Sequence, residues 1–254
     1  MVYLCYINHK RGDDVEQPGE IKKVSMAVIK RLPKYYKYLG VLLKNNVERV
    51  SSQELSRLLG FTASQIRQDL NNFGEFGQQG YGYNVSQLYT EISKILGLNT
   101  SHKMVIVGAG NLGQALANYN GFATHGFSII AIFDTNPSLV GRKINNILIY
   151  NVEDMQYFIN KNDVDIAVLT VPREETEKVV NVLTNTGIRG IWNFTPVEIT
   201  IENKDIVVEN VHLIDSLLTL SYHINESKLQ ERLLKQKRKN TPFAHRKNIT
   251  FVVK

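Results

Sequence analysis

The sequence predicts an α/β protein built from an N-terminal winged helix and a following Rossmann-like domain, and three observations carry that prediction. Two capped helical stretches joined by a glycine turn occupy residues 51–72. From Met104 onward, short apolar runs alternate with helical stretches, the pattern of a parallel sheet covered on both faces. Between the first of these runs and its helix stands VGAGNLGQALANYNGF, residues 107–122, with glycines spaced for a phosphate-binding turn.

Composition bounds what such a chain can be. At 254 residues, 43% hydrophobic and 21% charged, it can bury one good core and a second small one. No apolar run approaches the roughly 20 residues that a membrane span needs. The opening MVYLCYINHKRGDD turns charged too soon for a signal peptide, so a cytoplasmic protein with no membrane partner is expected. Cys5 is the single cysteine, which excludes an intrachain disulfide and a cysteine zinc site; no metal is expected. Lys and Arg against Asp and Glu stand at 13 to 9 in residues 1–100, 8 to 13 in 101–224 and 9 to 2 in 225–254. That asymmetry places polyanion contact at an end of the chain rather than in its middle.

Residues 1–23 hold Gly12, Pro18 and Gly19 among mixed charges without periodicity and are expected to be a flexible leader. The winged-helix domain is assigned to 24–86. Its first helix is predicted over 33–45, where Tyr36, Leu39, Leu42 and Leu43 follow helical spacing and Pro33 suits a first turn. Ser51-x-x-Glu54 before LSRLLG and Thr62-x-x-Gln65 before IRQDL read as capping boxes; with Gly60 and Phe61 between them they make a helix-turn-helix. NFGEFGQQGYGYNV, residues 72–85, alternates glycines with aromatics and is expected to be the hairpin wing. A linker helix is assigned to 87–100.

The Rossmann domain is assigned to 101–210, with MVIVG, SIIAIFD, ILIYN, DIAVLTVP and IRGIWNF as its strands. In VHLIDSLLTLSYHI, residues Leu213, Leu217, Leu220 and Ile224 form one apolar stripe, with Ile214, Leu218 and Tyr222 beside it. That face is too wide for a terminal helix and needs a partner surface, so 211–224 is read as a dimerisation helix and 225–254 as a basic tail.

Gly108-x-Gly110-x-x-Gly113 follows a strand directly and opens a helix. The first glycine permits the turn, the second lets backbone approach a pyrophosphate, and the third lets helix and strand pack closely. The backbone of Gly108, Ala109, Gly110, Asn111, Leu112 and Gly113 is therefore the candidate cradle. Asp134 ends the next strand, where a carboxylate would accept ribose hydroxyls and repel a 2′-phosphate, and no Arg follows until Arg142. The expected cofactor is NADH/NAD+. Thr170, Val171, Pro172 and Asn193 stand at later strand ends, where ligands lie in open α/β sheets. Asn193 either bonds near the nicotinamide or fixes its own strand-end turn. Tyr119, ending the fingerprint helix, is placed to touch the cofactor.

An alternative reading is an NAD-dependent oxidoreductase with an appended N-terminal domain. Such an enzyme needs a proton donor beside the hydride acceptor and a substrate domain. No substrate domain is present, and His125, His212 and His223 stand in no acid-base constellation. No catalytic residue is assigned. The helix TASQIRQDLNNF buries Ala63, Ile66 and Leu70 and turns Ser64, Gln65, Arg67 and Gln68 outward, side chains of the kind that read base edges and phosphates. Arg31 and Lys34 add positive charge upstream as candidate phosphate contacts.

MAVIKRLPKYYKYL, SSQELSRLLGFTASQIRQDLNNFGEFGQQGYGYNV, VIVGAGNLGQALANYNGF, FDTNP, VGRKI, LTVPRE and WNFTPV together resemble the Rex family of redox-sensing transcriptional repressors, across about residues 24–224. The resemblance implies a homodimer with a C-terminal helix swapped onto the partner, binding a pseudo-palindromic operator DNA and released when NADH binds. By position it assigns Gly108, Gly110, Gly113 and Asp134 to the cofactor, Tyr119 to the nicotinamide, and Ser64, Gln65, Arg67 and Gln68 to DNA. Two positions depart from the family pattern. Gln78 and Gln79 stand where a basic wing tip is common, and His212 stands where some members carry an acid, with Asp215 one turn later as the other candidate partner of Tyr119.

Overall fold

The computed structural model describes residues 2–7, 20–73, 77–78, 81–203 and 205–240. The chain divides into two units, Met1–Ser101 with Asn120–Ser128, and His102–Tyr119 with Ile129–Lys254.

In the first unit β1 (Val2–Ile7) pairs antiparallel with β2 (Glu20–Ser25). The leader expected to be irregular therefore contains two paired strands, and Val24 is buried; residues 8–19 lie outside the described residues. α1 (Met26–Ile29) and α2 (Leu32–Lys44) follow. Pro33 sits in the first turn of α2, where its missing N–H has no intrahelical acceptor to lose. Next come β3 (Arg49–Val50), α3 (Ser52–Leu59), α4 (Ala63–Asn71), β4 (Gly77–Gln78), β5 (Gly82–Asn84) and α5 (Val85–Ile95).

Both capping predictions place their helices, but only one box closes. The Glu54 N–H donates to Ser51 Oγ at 3.1 Å and the Ser51 N–H donates back to Glu54 Oε2 at 2.7 Å, which holds the Glu54 carboxyl below its ordinary range. Thr62 accepts from the Gln65 N–H at 3.2 Å without the reciprocal bond, so the Gln65 side chain stays outward. Gly60 ends α3 with φ of +75°, the left-handed turn that favours glycine. The wing is an antiparallel sheet in the order β3–β5–β4. Residues 74–76 and 79–80 of the expected hairpin, Gln79 included, lie outside the described residues.

The helix read as a linker is a core element. α5 starts at Val85 and buries Val85, Leu88 and Ile92 in one cluster with Leu32, Tyr35 and Leu39 of α2. Its apolar face was visible in the sequence; the α2 face that covers it was not. The segment Asn120–Ser128 joins this unit through a short 3-10 turn at Ala123–His125. The His125 ring meets Tyr36 edge-on at 6.1 Å, and Tyr36 stacks on Tyr89 at 4.5 Å. Tyr89 donates to the Tyr36 hydroxyl at 2.6 Å, and burial pushes the Tyr89 phenol up to about 12, so it remains a donor at neutral pH.

The second unit contains β6 (His102–Val107), α6 (Asn111–Ala117), all but the first two residues of β7 (Phe127–Asp134), β8 (Lys143–Ile144), β9 (Ile147–Asn151), α7 (Met155–Asn162), β10 (Ile166–Leu169), α8 (Arg173–Leu183), β11 (Gly190–Asn193), β12 (Val207–Asn210) and α9 (Leu213–Asn240). The sheet order is β12–β11–β10–β6–β7–β9–β8. The pairs β12–β11, β11–β10, β10–β6 and β7–β9 are parallel, and β8 closes one edge antiparallel. Val105, Val107, Phe133, Ala167, Leu169 and Ile191 from the strands pack against Met155, Ile159, Val179 and Leu183 from α7 and α8. Each large side chain buried there contributes about 1.5–3 kcal/mol.

α9 departs most from the expectation. It runs as one helix of 28 residues, ~42 Å at 1.5 Å per residue, so the segment read as a tail is helical through Asn240. Residues 213–236 are exposed throughout. Residues 241–254 lie outside the described residues.

Candidate functional site

The parallel order puts β6 and β10 side by side, and the carboxyl ends of both meet the glycine-rich turn. Gly108 takes φ of +105°, and a Cβ there would lie 2.8 Å from the Thr170 carbonyl oxygen. Thr170 Oγ1 donates to the carbonyls of Gly108 at 2.8 Å and Val107 at 3.1 Å, fastening the turn to the end of β10. A Cβ on Gly113 would collide with the Gly108 carbonyl oxygen and stand 2.9 Å from Thr170 Oγ1. Gly110 is different, because a Cβ there would meet nothing within 4 Å. That open space is where a ligand backbone can approach.

The first hydrogen bond of α6 runs from the Gln114 N–H to the Gly110 carbonyl at 2.9 Å. The N–H groups of Asn111, Leu112 and Gly113 precede it and have no carbonyl one turn back within the helix, which suits an anionic pyrophosphate. Asp134 closes the cradle from β7. Its Oδ2 accepts from the Ala109 N–H at 2.6 Å and its Oδ1 from the Asn136 N–H at 2.7 Å. A carboxylate offers about four acceptor positions, so capacity remains for a ribose diol. The residues present therefore fit a dinucleotide with an unphosphorylated ribose.

Other sequence-predicted residues stand differently. Asn193 is fully buried at the end of β11. Its amide nitrogen donates to the Val197 carbonyl at 2.7 Å and to Asn210 Oδ1 at 2.8 Å. Its oxygen accepts from the Thr195 N–H at 2.9 Å and from Thr195 Oγ1 at 2.8 Å. All four of its bonding positions are occupied, so the turn-fixing role replaces the nicotinamide contact. Val171 and Pro172 lead from β10 into α8, with Pro172 as its N-cap residue. Tyr119 is 60% exposed just beyond α6, and Asp215 lies on the first, exposed turn of α9. Among the described residues no group of three or more His, Cys, Asp or Glu could hold a metal, and no helix is long and apolar enough to cross a membrane.

In the first unit, Ser64, Gln65, Arg67 and Gln68 are all exposed on α4 while Ile66 and Leu70 are buried. Arg67 Nη1 donates to Ser52 Oγ at 2.9 Å across to α3. Lys34 is exposed, with its ammonium 5.2 Å from the Phe61 ring centroid. Arg31 is not turned outward as a phosphate contact. It meets Asp69 bidentately, Nε to Oδ2 at 2.6 Å and Nη2 to Oδ1 at 2.7 Å, and Tyr35 donates to the same Oδ2 at 2.6 Å. Asp69 is 1% exposed; the carboxylate holds the Arg31 proton more firmly, and burial raises the Tyr35 phenol. Sequence reasoning missed Asp69 although the signal was there: Ile66, Asp69, Leu70 and Phe73 share the inward helical spacing. It also missed Arg49, whose guanidinium lies 5.9 Å from the centroid of the exposed Tyr81 ring at the wing.

A winged-helix reader and a nucleotide cradle on one chain define the class of ligand-responsive transcription regulators. The family model described as "Putative DNA-binding protein N-terminus" matches residues 23–71, and "CoA binding domain" matches residues 99–197. The Redox-sensing transcriptional repressor Rex of Clostridium botulinum (strain Hall) is 57% identical over 206 residues, covering 81% of this chain and 98% of the relative. The solved structure of RSP in complex with β-NAD+ and operator DNA matches with a TM-score of 0.76 at 52% identity, covering 86% of this chain and 98% of RSP. RSP in complex with β-NADH matches with a TM-score of 0.77 at 50% identity, over 83% and 98% of the two chains. The chain belongs to the Rex family of redox-sensing transcriptional repressors.

Proposed function

We propose that this chain is a redox-sensing transcriptional repressor that holds operator DNA as a homodimer and lets go when NADH binds, so that DNA occupancy reports the NADH/NAD+ ratio. The observation that carries this reading is the match, at about half identity over nearly the whole relative, to a repressor solved both with β-NAD+ and operator DNA and with β-NADH. Its relatives are repressors and not enzymes, and the chain uses the dinucleotide as a signal. Asp134 selects NAD(H), because its carboxylate repels the ribose 2′-phosphate of NADP(H) and the 3′-phosphate of coenzyme A. The nicotinamide ring is cationic when oxidised and neutral when reduced, a difference that Tyr119 and an acid such as Asp215 can sense. The two redox forms then stabilise different arrangements of the reader, with coupling of about 1–3 kcal/mol.

The exposed first half of α9 supports the dimer. Leu213, Ile214, Leu217, Leu218 and Leu220 are each more than half exposed in the single chain, and each would contribute about 1.5–3 kcal/mol when covered. A second copy covers them and brings His212 or Asp215 to the other protomer's cofactor. Two readers on one two-fold axis fit half-sites ~34 Å apart, or a multiple of that, in a pseudo-palindrome.

In the reader, Ser64, Gln65, Arg67 and Gln68 face bases and phosphates, while Lys34 and Arg49 add phosphate contacts. Arg67→Ala is expected to lose about 1–3 kcal/mol of discrimination at one base pair. Selection from a randomised operator library measures it; an unchanged preference at every position assigns Arg67 to phosphate or to Ser52 alone. The overall test is operator binding at fixed total cofactor while the NADH fraction rises. The parent should release DNA. Asp134→Ala should bind DNA as before and fail to release it at the same NADH, with NAD+ affinity weakened alongside. Parent protein that stays on DNA throughout would overturn the reading.

A further inference from the structure

We propose that the second half of α9, residues 225–240, is a basic arm that contacts DNA phosphates outside the half-sites. The proposal rests on the DNA-binding reading above and extends it to a surface that α4 and the wing do not supply.

α9 changes character partway along its length. Leu213, Leu217, Leu220 and Ile224 follow one another at steps of three and four, and the same steps continue as Lys228, Arg232 and Lys235. One helical stripe is thus apolar before Ile224 and cationic after it. Lys228, Arg232 and Lys235 are exposed, and among the described residues no ion pair engages them; Glu226 Oε2 instead lies 3.9 Å from His223 Nδ1, on another face. Lys237, Arg238 and Lys239 follow in the sequence.

A lone helix of sixteen residues is marginal in water. This one needs no nucleus of its own, because it propagates from the apolar half of α9. The cations near the C-terminus of the helix favour it further. A second copy is a poor occupant for the arm, since Leu229 and Leu233 are its only apolar pair at helical spacing and three cations flank them. A phosphate backbone suits it better. From Lys228 to Lys235 the stripe extends ~10 Å, and duplex DNA carries one charge per ~1.7 Å of axis.

The test compares the parent with the triple variant Lys228→Gln, Arg232→Gln, Lys235→Gln, since glutamine keeps helix propensity and leaves Leu229, Leu233 and Leu234 in place. Binding is measured against salt on two duplexes carrying an operator selected by the parent from a random library. One duplex just spans the half-sites, and the other extends two helical turns beyond each end. Each phosphate contact contributes about 0.9 to the slope of log K against log salt. With up to three contacts per protomer, the triple variant should have a slope shallower by about 2–5 on the long duplex and unchanged on the short one. Glu231→Gln, which adds net positive charge, should steepen the long-duplex slope. NADH release and sedimentation as a dimer should match the parent in both variants.

Equal slopes for parent and triple variant on the long duplex would overturn the arm and assign these cations to solvent or to the net-acidic residues 101–224. A slope change of the same size on both duplexes would also overturn it, because the contacts would then lie within the half-sites. If the parent selects no operator at all, the repressor reading fails, and the arm with it.

Discussion

Asp69→Ala is expected to lower the stability of the N-terminal unit by about 3 kcal/mol. Removing one member of a buried ion pair leaves the other charge uncompensated, at a cost of about 3–5 kcal/mol. The lower end applies because the Arg31 side chain keeps 18% of its surface exposed and can recover part of its hydration. Tyr35, buried against the same carboxylate oxygen, loses its acceptor as well. Urea unfolding followed by a probe in the first unit measures the change, with NADH binding by the second unit as the control. A loss under about 1 kcal/mol would show that the clamp contributes little. If stability falls as expected, operator affinity should fall with it on the proposed reading, since α4 carries Asp69 on its inner face and the exposed Ser64, Gln65, Arg67 and Gln68 on its outer one.

Gly113→Ala carries the second large effect. The new methyl group has to share space with the Gly108 carbonyl oxygen, which is backbone and is fastened by Thr170 Oγ1. Overpacking of this kind costs about 1–3 kcal/mol, and relief requires α6 to move off the sheet. The expected result is a nucleotide domain about 2 kcal/mol less stable that binds NADH and NAD+ at least ~10-fold more weakly. Gly110→Ala is the companion measurement. Its φ of −69° suits any residue, and a Cβ meets nothing within 4 Å, so stability should hold while dinucleotide affinity drops. Equal loss of stability in both variants would contradict the distinction between a packing glycine and a ligand-facing one.

The sequence made legible whatever depends on local pattern. The Ser51 and Thr62 caps, the Gly60 turn and the Gly108-x-Gly110-x-x-Gly113 spacing are satisfied within a few residues of chain, and each was found. What it hid depends on distant partners. α5 looked like a linker because its amphipathic face gives no hint that α2 covers it. Arg31 looked like a phosphate contact because its partner lies 38 residues away. Asn193 stood open between two roles until Asn210 and Thr195 were seen to occupy its amide. β12 passed unnoticed because a four-residue edge strand with an exposed Val207 has too little apolar alternation to stand out. The length of α9 was hidden for a related reason, since its second half is polar and charged and lacks the stripe by which a packed helix is recognised.

The turn formed by Gly108–Gly113, Thr170 and Asp134 is shaped by the protein's own hydrogen bonds, and the adenosine and pyrophosphate that it is proposed to hold are common to both redox forms. Whatever affinity it supplies is supplied equally to each, and affinity that is equal in two states moves no equilibrium. Its effect is instead to make the two forms compete for one seat. Once the combined pool is large enough to keep that seat filled, adding more of both changes nothing, and only the proportion between them alters the output. On the proposed reading, a seat shared by both forms turns what would be a concentration gauge into a meter of a ratio, insensitive to how much dinucleotide the cell happens to hold.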